Sequence, residues 1–180
     1  VDNSAGLMRS DGTVNVQAGA VRNDSTQGQN QGIEGATVSV SAADISNRQG
    51  AMRGDAITLT AGTRIDNNAG LISATNSASL MDANPASRAL VIDNSNGTVI
   101  AGQQTSVLAY SFTGSGRFLS QKDLRIDLVA WASAAGRFRR FIGVKPCKCS
   151  PSSRRVQPSP LLVWRQSLRC LLMLLAPPWI

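Results

Sequence analysis

The residues of this chain that could carry out chemistry are few, and its cysteines are the first candidates. Cys147 and Cys149 are separated by one residue, and Cys170 follows later. Redox pairs normally have two intervening residues, and a zinc site built on these thiolates needs a fourth ligand. The chain has no His, and residues 130–180 contain no Asp or Glu. We therefore predict no metal site, and we interpret the Cys147–Cys149 pair as incidental.

Catalytic constellations are equally scarce. Without His the chain lacks the commonest general base and every Ser-His or Cys-His nucleophile pair. No stretch has the glycine spacing of a dinucleotide-binding or phosphate-binding loop. We predict no catalytic residue, no cofactor and no cofactor-binding residue, and therefore no enzymatic activity.

A broken row of carboxylates is the remaining candidate site. Asp2, Asp66 and Asp93 occupy the same place in a recurring motif, but Arg22 and Ser46 interrupt the row. A calcium site needs several oxygen ligands that converge on one point. We therefore expect these aspartates to be exposed to solvent rather than to bind a metal.

The motif that carries these aspartates belongs to an internal repeat. Its copies begin at positions 1, 21, 45, 65, 92 and 112. The spacing from 1 to 21 recurs from 45 to 65 and from 92 to 112, so it is the basic unit of the repeat. The intervals from 21 to 45 and from 65 to 92 are longer. Each copy opens with an apolar residue, turns at polar residues and glycine, and continues with alternating apolar and polar residues, as in Ile57-x-Leu59-x-Ala61. Alternation with a period of two predicts strands with one buried face. Short strands that recur at this spacing predict a β-solenoid of about six coils.

Two residue types mark the turn of each coil. Stacked asparagines form hydrogen-bonded ladders, so we interpret the recurring asparagine as structural rather than as a binding surface. Glycine is expected where the backbone turns, often through a positive φ angle. The predicted ladder comprises Asn3, Asn23, Asn47, Asn67 and Asn94, and the predicted turn glycines are Gly6, Gly32, Gly50, Gly70 and Gly97.

Two insertions account for the longer intervals. Residues 24–31 are polar and rich in Gln, and residues 82–89 contain Pro85, the only proline before residue 130. Proline does not fit within a paired strand, so both segments are predicted to be loops that leave the coil surface. Loops on a rigid scaffold are where a binding site would be expected.

The repeat resembles a known family. Its pattern is an apolar residue, Asp-Asn, a glycine three residues later, and then alternating apolar residues. It is similar to the haemagglutinin repeats of filamentous haemagglutinin-like exoproteins, which include contact-dependent growth inhibition proteins, over about residues 1–128. The resemblance implies an all-β, right-handed parallel β-helix, secreted to the cell surface through an outer-membrane two-partner transporter.

The resemblance also implies a role and partners. The chain is expected to be a structural stalk fragment of a large adhesin or toxin-presenting protein, without catalysis. Its expected partners are adjacent coils of the full-length protein and a receptor or glycan on a host or neighbouring cell, but not nucleic acid. A β-helix polysaccharide-active enzyme and a non-functional truncated gene product remain alternatives.

The end of the chain has a different composition. Residues 1–129 hold 9 Lys and Arg against 11 Asp and Glu, whereas residues 130–180 hold 9 Lys and Arg and no acid. We predict that the repeat domain ends at residue 128 and that residues 129–180 form a separate tail, poorly ordered or partly helical. A shift of reading frame is the preferred interpretation. A basic arm for nucleic acid or anionic lipid, and an interfacial membrane element at residues 161–176, are alternatives.

Overall fold

The computed structural model describes residues 1–130 and the backbone of residues 137–140. The described residues form strands, turns and loops, without a helix among them. All of them belong to one unit, Val1–Ile142. The predictions for Cys147, Cys149 and Cys170, for the segment 161–176 and for the rest of the tail lie outside the described residues.

The described strands stack in parallel on three sides of a solenoid, which confirms the predicted all-β fold of about six coils. The long strands run around two or three sides of one coil without interruption. The strands are β1 Leu7–Arg9, β2 Thr13–Gln17, β3 Ala20–Arg22, β4 Gly32–Ser46, β5 Ala51–Asp66, β6 Leu71–Asp82, β7 Val91–Asp93, β8 Thr98–Ala101, β9 Gln104–Ala109, β10 Ser111–Thr113, β11 Arg117–Ser120, β12 Asp123–Leu128 and β13 Arg137–Arg140.

Each coil has three sides, which we call A, B and C in chain order. Side A contains β1, the first residues of β4, β5 and β6, and then β8, β11 and β13. Side B contains β2, the middle of β4 and β5, the end of β6, and then β9 and β12. Side C contains β3, the ends of β4 and β5, and then β7 and β10.

The register of the coils follows the repeat read from the sequence. On side C, five apolar residues pair directly from coil to coil, and the bridge between Asp2 and Arg22 adds the first coil to the column. The two insertions leave this pairing intact because, apart from Asp82 at the end of β6, they lie outside the paired strands. The five paired residues are Val21, Ile45, Ile65, Ile92 and Phe112.

Alternation places one apolar face of every strand inside the solenoid. On side B, Ile57 and Leu59 are at most 1% exposed, whereas Thr58 between them faces solvent. Burying one such side chain contributes about 1.5–3 kcal/mol, and no single coil can enclose it without neighbours. Thr105 is a polar exception inside side B, and its hydroxyl donates to the Leu119 carbonyl oxygen at 3.0 Å.

The stacking continues beyond the predicted domain end at residue 128. Strand β13 pairs in parallel with β11, and Arg137 lies opposite Arg117 and Phe138 opposite Phe118. The offset along the chain between these partners equals the basic unit of the repeat. The backbone therefore adds one more side A strand within the segment that composition assigned to the tail.

Candidate functional site

The asparagines of the repeat form a continuous line of side-chain hydrogen bonds through five coils. In the first four of these coils, the asparagine Nδ2 donates to the Oδ1 of the asparagine in the next coil, over distances of 2.7 to 2.8 Å. All five side chains are buried, with residue exposures between 0% and 7%. We call Asn3, Asn23, Asn47, Asn67 and Asn94 the asparagine ladder.

The second hydrogen of each ladder amide is also used. It is donated to a backbone carbonyl oxygen near the start of side A, at distances of 3.0 to 3.4 Å. The ladder ends at Asn94, whose Nδ2 donates to the Arg117 carbonyl oxygen. It does not continue into the sixth coil because Gly114 stands at the position equivalent to Asn94 and has no side-chain amide. The equivalence follows from the pairing of Phe112 with Ile92 and of Thr113 with Asp93.

The turn glycines are required for space rather than for a positive φ angle, which corrects the expectation from sequence. A Cβ atom on Gly70 would lie 2.2 Å from the Asn47 carbonyl oxygen and 2.3 Å from the Asn67 Oδ1. Gly50 and Gly97 are equally close to the ladder. The positive φ angles lie one residue earlier in each turn, at Ala5, Gln49, Ala69 and Asn96.

Gly32 is not the turn residue of its coil, so that assignment was wrong. It pairs with Leu7 in β1, one position after the turn, although its φ angle is +115°. Thr26 takes the turn position instead, one basic repeat unit after Gly6, and it is fully buried. Its hydroxyl donates to the Asn23 carbonyl oxygen and accepts from the Ala51 N–H. These two hydrogen bonds allow a larger residue where the other coils use glycine.

The aspartates before the ladder act as caps of the turn. Asp2 and Asp93 each accept hydrogen bonds from the backbone N–H and the hydroxyl of the serine two residues later. The hydroxyl of Ser4 is the main reason that the pKa of Asp2 is lowered. Such side-chain to backbone bonds stabilise turns, and sequence reasoning assigned them no role.

Asp66 is buried, contrary to the expectation that this row faces solvent. Its exposure is 4%, because Arg48 and Arg64 both cover it. The Arg48 Nε donates to Asp66 Oδ2 at 2.7 Å and the Arg64 Nη2 at 2.9 Å. The hydrogen bond to Asp66 raises the pKa of Arg48. The carboxylate is therefore paired with two guanidinium groups, an arrangement that leaves little room for a cation.

A second charge cluster lies on the outer face of side A. Arg9, Glu34 and Arg53 occupy the same position in three successive coils. Glu34 accepts from Arg9 at 2.6 Å and from Arg53 at 2.8 Å. The hydrogen bond from Arg9, followed by that from Arg53, lowers the pKa of Glu34. The sequence analysis missed this cluster. The signal that could have indicated it is the alternation of charge sign at one repeat position.

The insertion at residues 24–31 is a loop, as predicted, but it is tied to the solenoid. The Gln31 amide donates to the Ala5 carbonyl oxygen in the first coil, and Gln27 donates to the Ala69 carbonyl oxygen in the fourth. Arg53 in the third coil donates to the Gln31 carbonyl oxygen at 3.2 Å. This loop therefore spans four coils along the solenoid axis.

The insertion at residues 82–89 is fastened in a similar way. Asp82 is 3% exposed, and its Oδ2 accepts from the N–H groups of Ala89 and Leu90 at 2.7 Å each. Arg88 donates to both the side chain and the carbonyl oxygen of Asp127, two coils further on. Arg88 and Asp127 are far apart in the chain, so the sequence contained no local signal for this contact.

A cleft lies where the first insertion meets side A. Its volume is about 350 Å³. Four consecutive loop residues form one wall, and the paired side chains of Glu34 and Arg53 form the other. The loop residues are Gln27, Gly28, Gln29 and Asn30.

Comparisons with protein-family models, with curated proteins and with solved structures found no match. Within residues 1–130, no group of three or more acidic or metal-binding side chains is arranged to hold a metal ion. The same part of the chain contains no helix that is long and apolar enough to cross a membrane.

Proposed function

We propose that this chain is a stalk segment of a large exported adhesin, which extends and presents a surface without catalysing a reaction. The observation that carries the proposal is the asparagine ladder, which links five coils through buried side-chain amides at 2.7 to 2.8 Å. Each coil adds about 4.8 Å along the axis. Coils held together in this way add length without creating a catalytic centre.

The use of the carboxylates supports a structural role. A polysaccharide-cleaving β-helix needs acidic side chains that converge on substrate. Here six of the carboxylates hold turns or loops or link coils, so these six are poorly suited to general acid or base chemistry. Glu34, Asp66 and Asp127 are paired with arginines, and Asp2, Asp82 and Asp93 accept backbone N–H groups.

The resemblance of the repeat to filamentous haemagglutinin-like exoproteins supports the adhesin part of the proposal. In that setting the chain stacks on further coils of the same protein and reaches the cell surface through a two-partner transporter. Its partner is a receptor or glycan on another cell. The central outward row of side B is uncharged in the second to fifth coils, where it consists of Ser39, Thr58, Ser79 and Ser106, and this supports such a role. The row continues to Arg125 in the sixth coil.

Agglutination by the full chain tests this proposal. Beads coated with the chain are mixed with erythrocytes and with bacterial cells, and uncoated beads are the control. In parallel, the soluble chain is incubated with acidic polysaccharides with and without Ca²⁺. We expect coated beads to aggregate cells and the polysaccharides to stay intact. Failure to bind either cell type, or calcium-dependent release of cleavage products, would contradict the proposal.

A further inference from the structure

The cleft between the first insertion and side A has the size of a small-ligand site. Its volume of about 350 Å³ is near the lower end of the range of ligand pockets, about 300–1,000 Å³, and it is an open surface cleft rather than an enclosed cavity. The insertion that forms one wall is a departure from the regular repeat. The cleft is therefore a local addition to the repeating surface of side A.

Apart from one glycine, every described residue that lines this cleft carries a polar or charged group on its side chain. Gln27, Gln29 and Asn30 contribute amides, Glu34 a carboxylate and Arg53 a guanidinium group, and a glycine completes the lining. Among the described residues, no aliphatic or aromatic side chain belongs to this lining, so its apolar surface comes from the carbon atoms of residues that also carry polar groups. An amide both donates and accepts hydrogen bonds, as a hydroxyl group does. A ligand with several hydroxyl groups therefore matches the lining best.

The loop wall is held in place before any ligand arrives. Gln31 is bonded to Ala5 on one side, and Arg53 is bonded to the Gln31 carbonyl oxygen on the other. Gln27 is bonded to Ala69 at the far end. Preorganised groups lose less conformational freedom when a ligand binds, so polar contacts contribute more to affinity. The three residues between Gln27 and Gln31 all line the cleft and are exposed.

The charges of Glu34 and Arg53, on the side A wall of the cleft, select against acidic ligands. Arg53 already contacts Glu34 at 2.8 Å, and Glu34 also accepts from Arg9. An anionic group would have to compete with Glu34 for Arg53 and would then lie beside a carboxylate. A neutral ligand makes hydrogen bonds to both side chains without breaking the ion pair.

We propose that this cleft binds a neutral oligosaccharide. The proposal rests on the proposed function, because it assigns a ligand class to the adhesin that the solenoid would extend from the cell. It places the contacts at Gln29 and Asn30 on the loop wall and at Arg53 and Glu34 on side A.

A glycan array tests the proposal directly. The labelled full chain is applied to printed neutral, sialylated and sulfated oligosaccharides. The test variant combines Gln29→Ala with Asn30→Gly, because glycine keeps the φ angle of +57° found at Asn30. The matched control combines Asn76→Ala with Gln103→Ala, an exposed Asn and Gln that are neighbours away from the cleft. Circular dichroism melting shows whether each variant is folded.

We expect the wild type and the control to bind at least one neutral oligosaccharide and the folded test variant to lose tenfold or more of that signal. Binding of only acidic glycans, no binding of any glycan, or an unchanged signal in the test variant would overturn the proposal. Bead agglutination separates the two proposals. Agglutination by the wild type, together with an unchanged array signal in the test variant, refutes the cleft alone. Array binding without agglutination by the wild type refutes the adhesin role alone.

Discussion

Asn47 lies at the centre of the asparagine ladder, where its Nδ2 donates to Asn67 Oδ1 at 2.8 Å. Its own Oδ1 accepts from Asn23 at 2.8 Å, so one side chain joins three coils. We predict that Asn47→Ala lowers the free energy of unfolding by about 2–5 kcal/mol, because one buried hydrogen of Asn23 Nδ2 and the buried Asn67 Oδ1 lose their partner. Urea unfolding measures the change. Asn68→Ala, at an exposed position beside the ladder, is the control and should change stability by less than about 0.5 kcal/mol. Equal losses of stability in the two variants would show that the ladder hydrogen bonds do not stabilise the solenoid.

The tight approach of the turn to the ladder gives a prediction for glycine. Gly70→Ala should destabilise the protein by about 1–3 kcal/mol or more, because its Cβ would lie 2.2 Å from the Asn47 carbonyl oxygen. Gly19→Ala should be neutral or slightly stabilising, since no atom lies within 4 Å of its added Cβ. Thermal unfolding compares the two variants. A neutral Gly70→Ala variant would show that the turns do not need space for the ladder.

The cluster around Glu34 gives a pH dependence. Its folded-state pKa is lowered, chiefly by Arg9, so its contribution to stability is present above the unfolded value of about 4.5. That contribution is lost as the pH falls through the lower folded-state pKa. We predict that Glu34→Gln lowers the melting temperature at pH 7 but not at pH 2. The corresponding loss in the free energy of unfolding at pH 7 is about 0.2–1 kcal/mol. Asp11→Asn, at an exposed position in the first coil, is the control. A pH-independent difference between wild type and Glu34→Gln would argue against the ion pairs.

The second insertion, residues 82–89, should stabilise the sixth coil through its contact with Asp127. Arg88 is largely covered and bonds to Asp127 in the sixth coil, so Arg88→Ala should speed amide hydrogen exchange in both residues 83–89 and residues 123–128. Ser87→Ala, in the same loop, should leave both segments unchanged. Faster exchange confined to the loop would mean that Arg88 does not stabilise the sixth coil.

Much of the fold follows from the sequence because the repeat is regular. Alternating apolar residues such as Ile57 and Leu59 fix which face is buried, and the constant basic spacing fixes the pairing of one coil with the next. The recurring asparagine could be recognised as a ladder residue for the same reason. Its carbonyl and amide groups meet their counterparts wherever identical residues stack in register.

The details that escaped prediction depend on contacts between distant residues. Thr26 replaces glycine in its turn because its hydroxyl has hydrogen-bond partners in two coils. Gly32 was predicted to be the turn glycine because it lies close to the expected position in a copy lengthened by an insertion. The burial of Asp66 depends on Arg64, which precedes it in the same strand, and on Arg48, which reaches it from the preceding turn. The cleft depends on how the first insertion folds back, which no periodic pattern records.

Disulfide trapping tests the in-register stacking of coils most directly. In a chain with its three natural cysteines changed to Ser, cysteines are introduced at Thr58 and Ser79, which pair on side B of adjacent coils. A control chain carries them at Thr58 and Ser106, two coils apart. Paired strands lie about 4.8 Å apart, within disulfide reach, whereas two coils span about 9.6 Å. We predict that mild oxidation forms an intramolecular disulfide in the first chain and leaves free thiols in the second. Equal disulfide formation in both chains, or none in the first, would contradict the stacked solenoid.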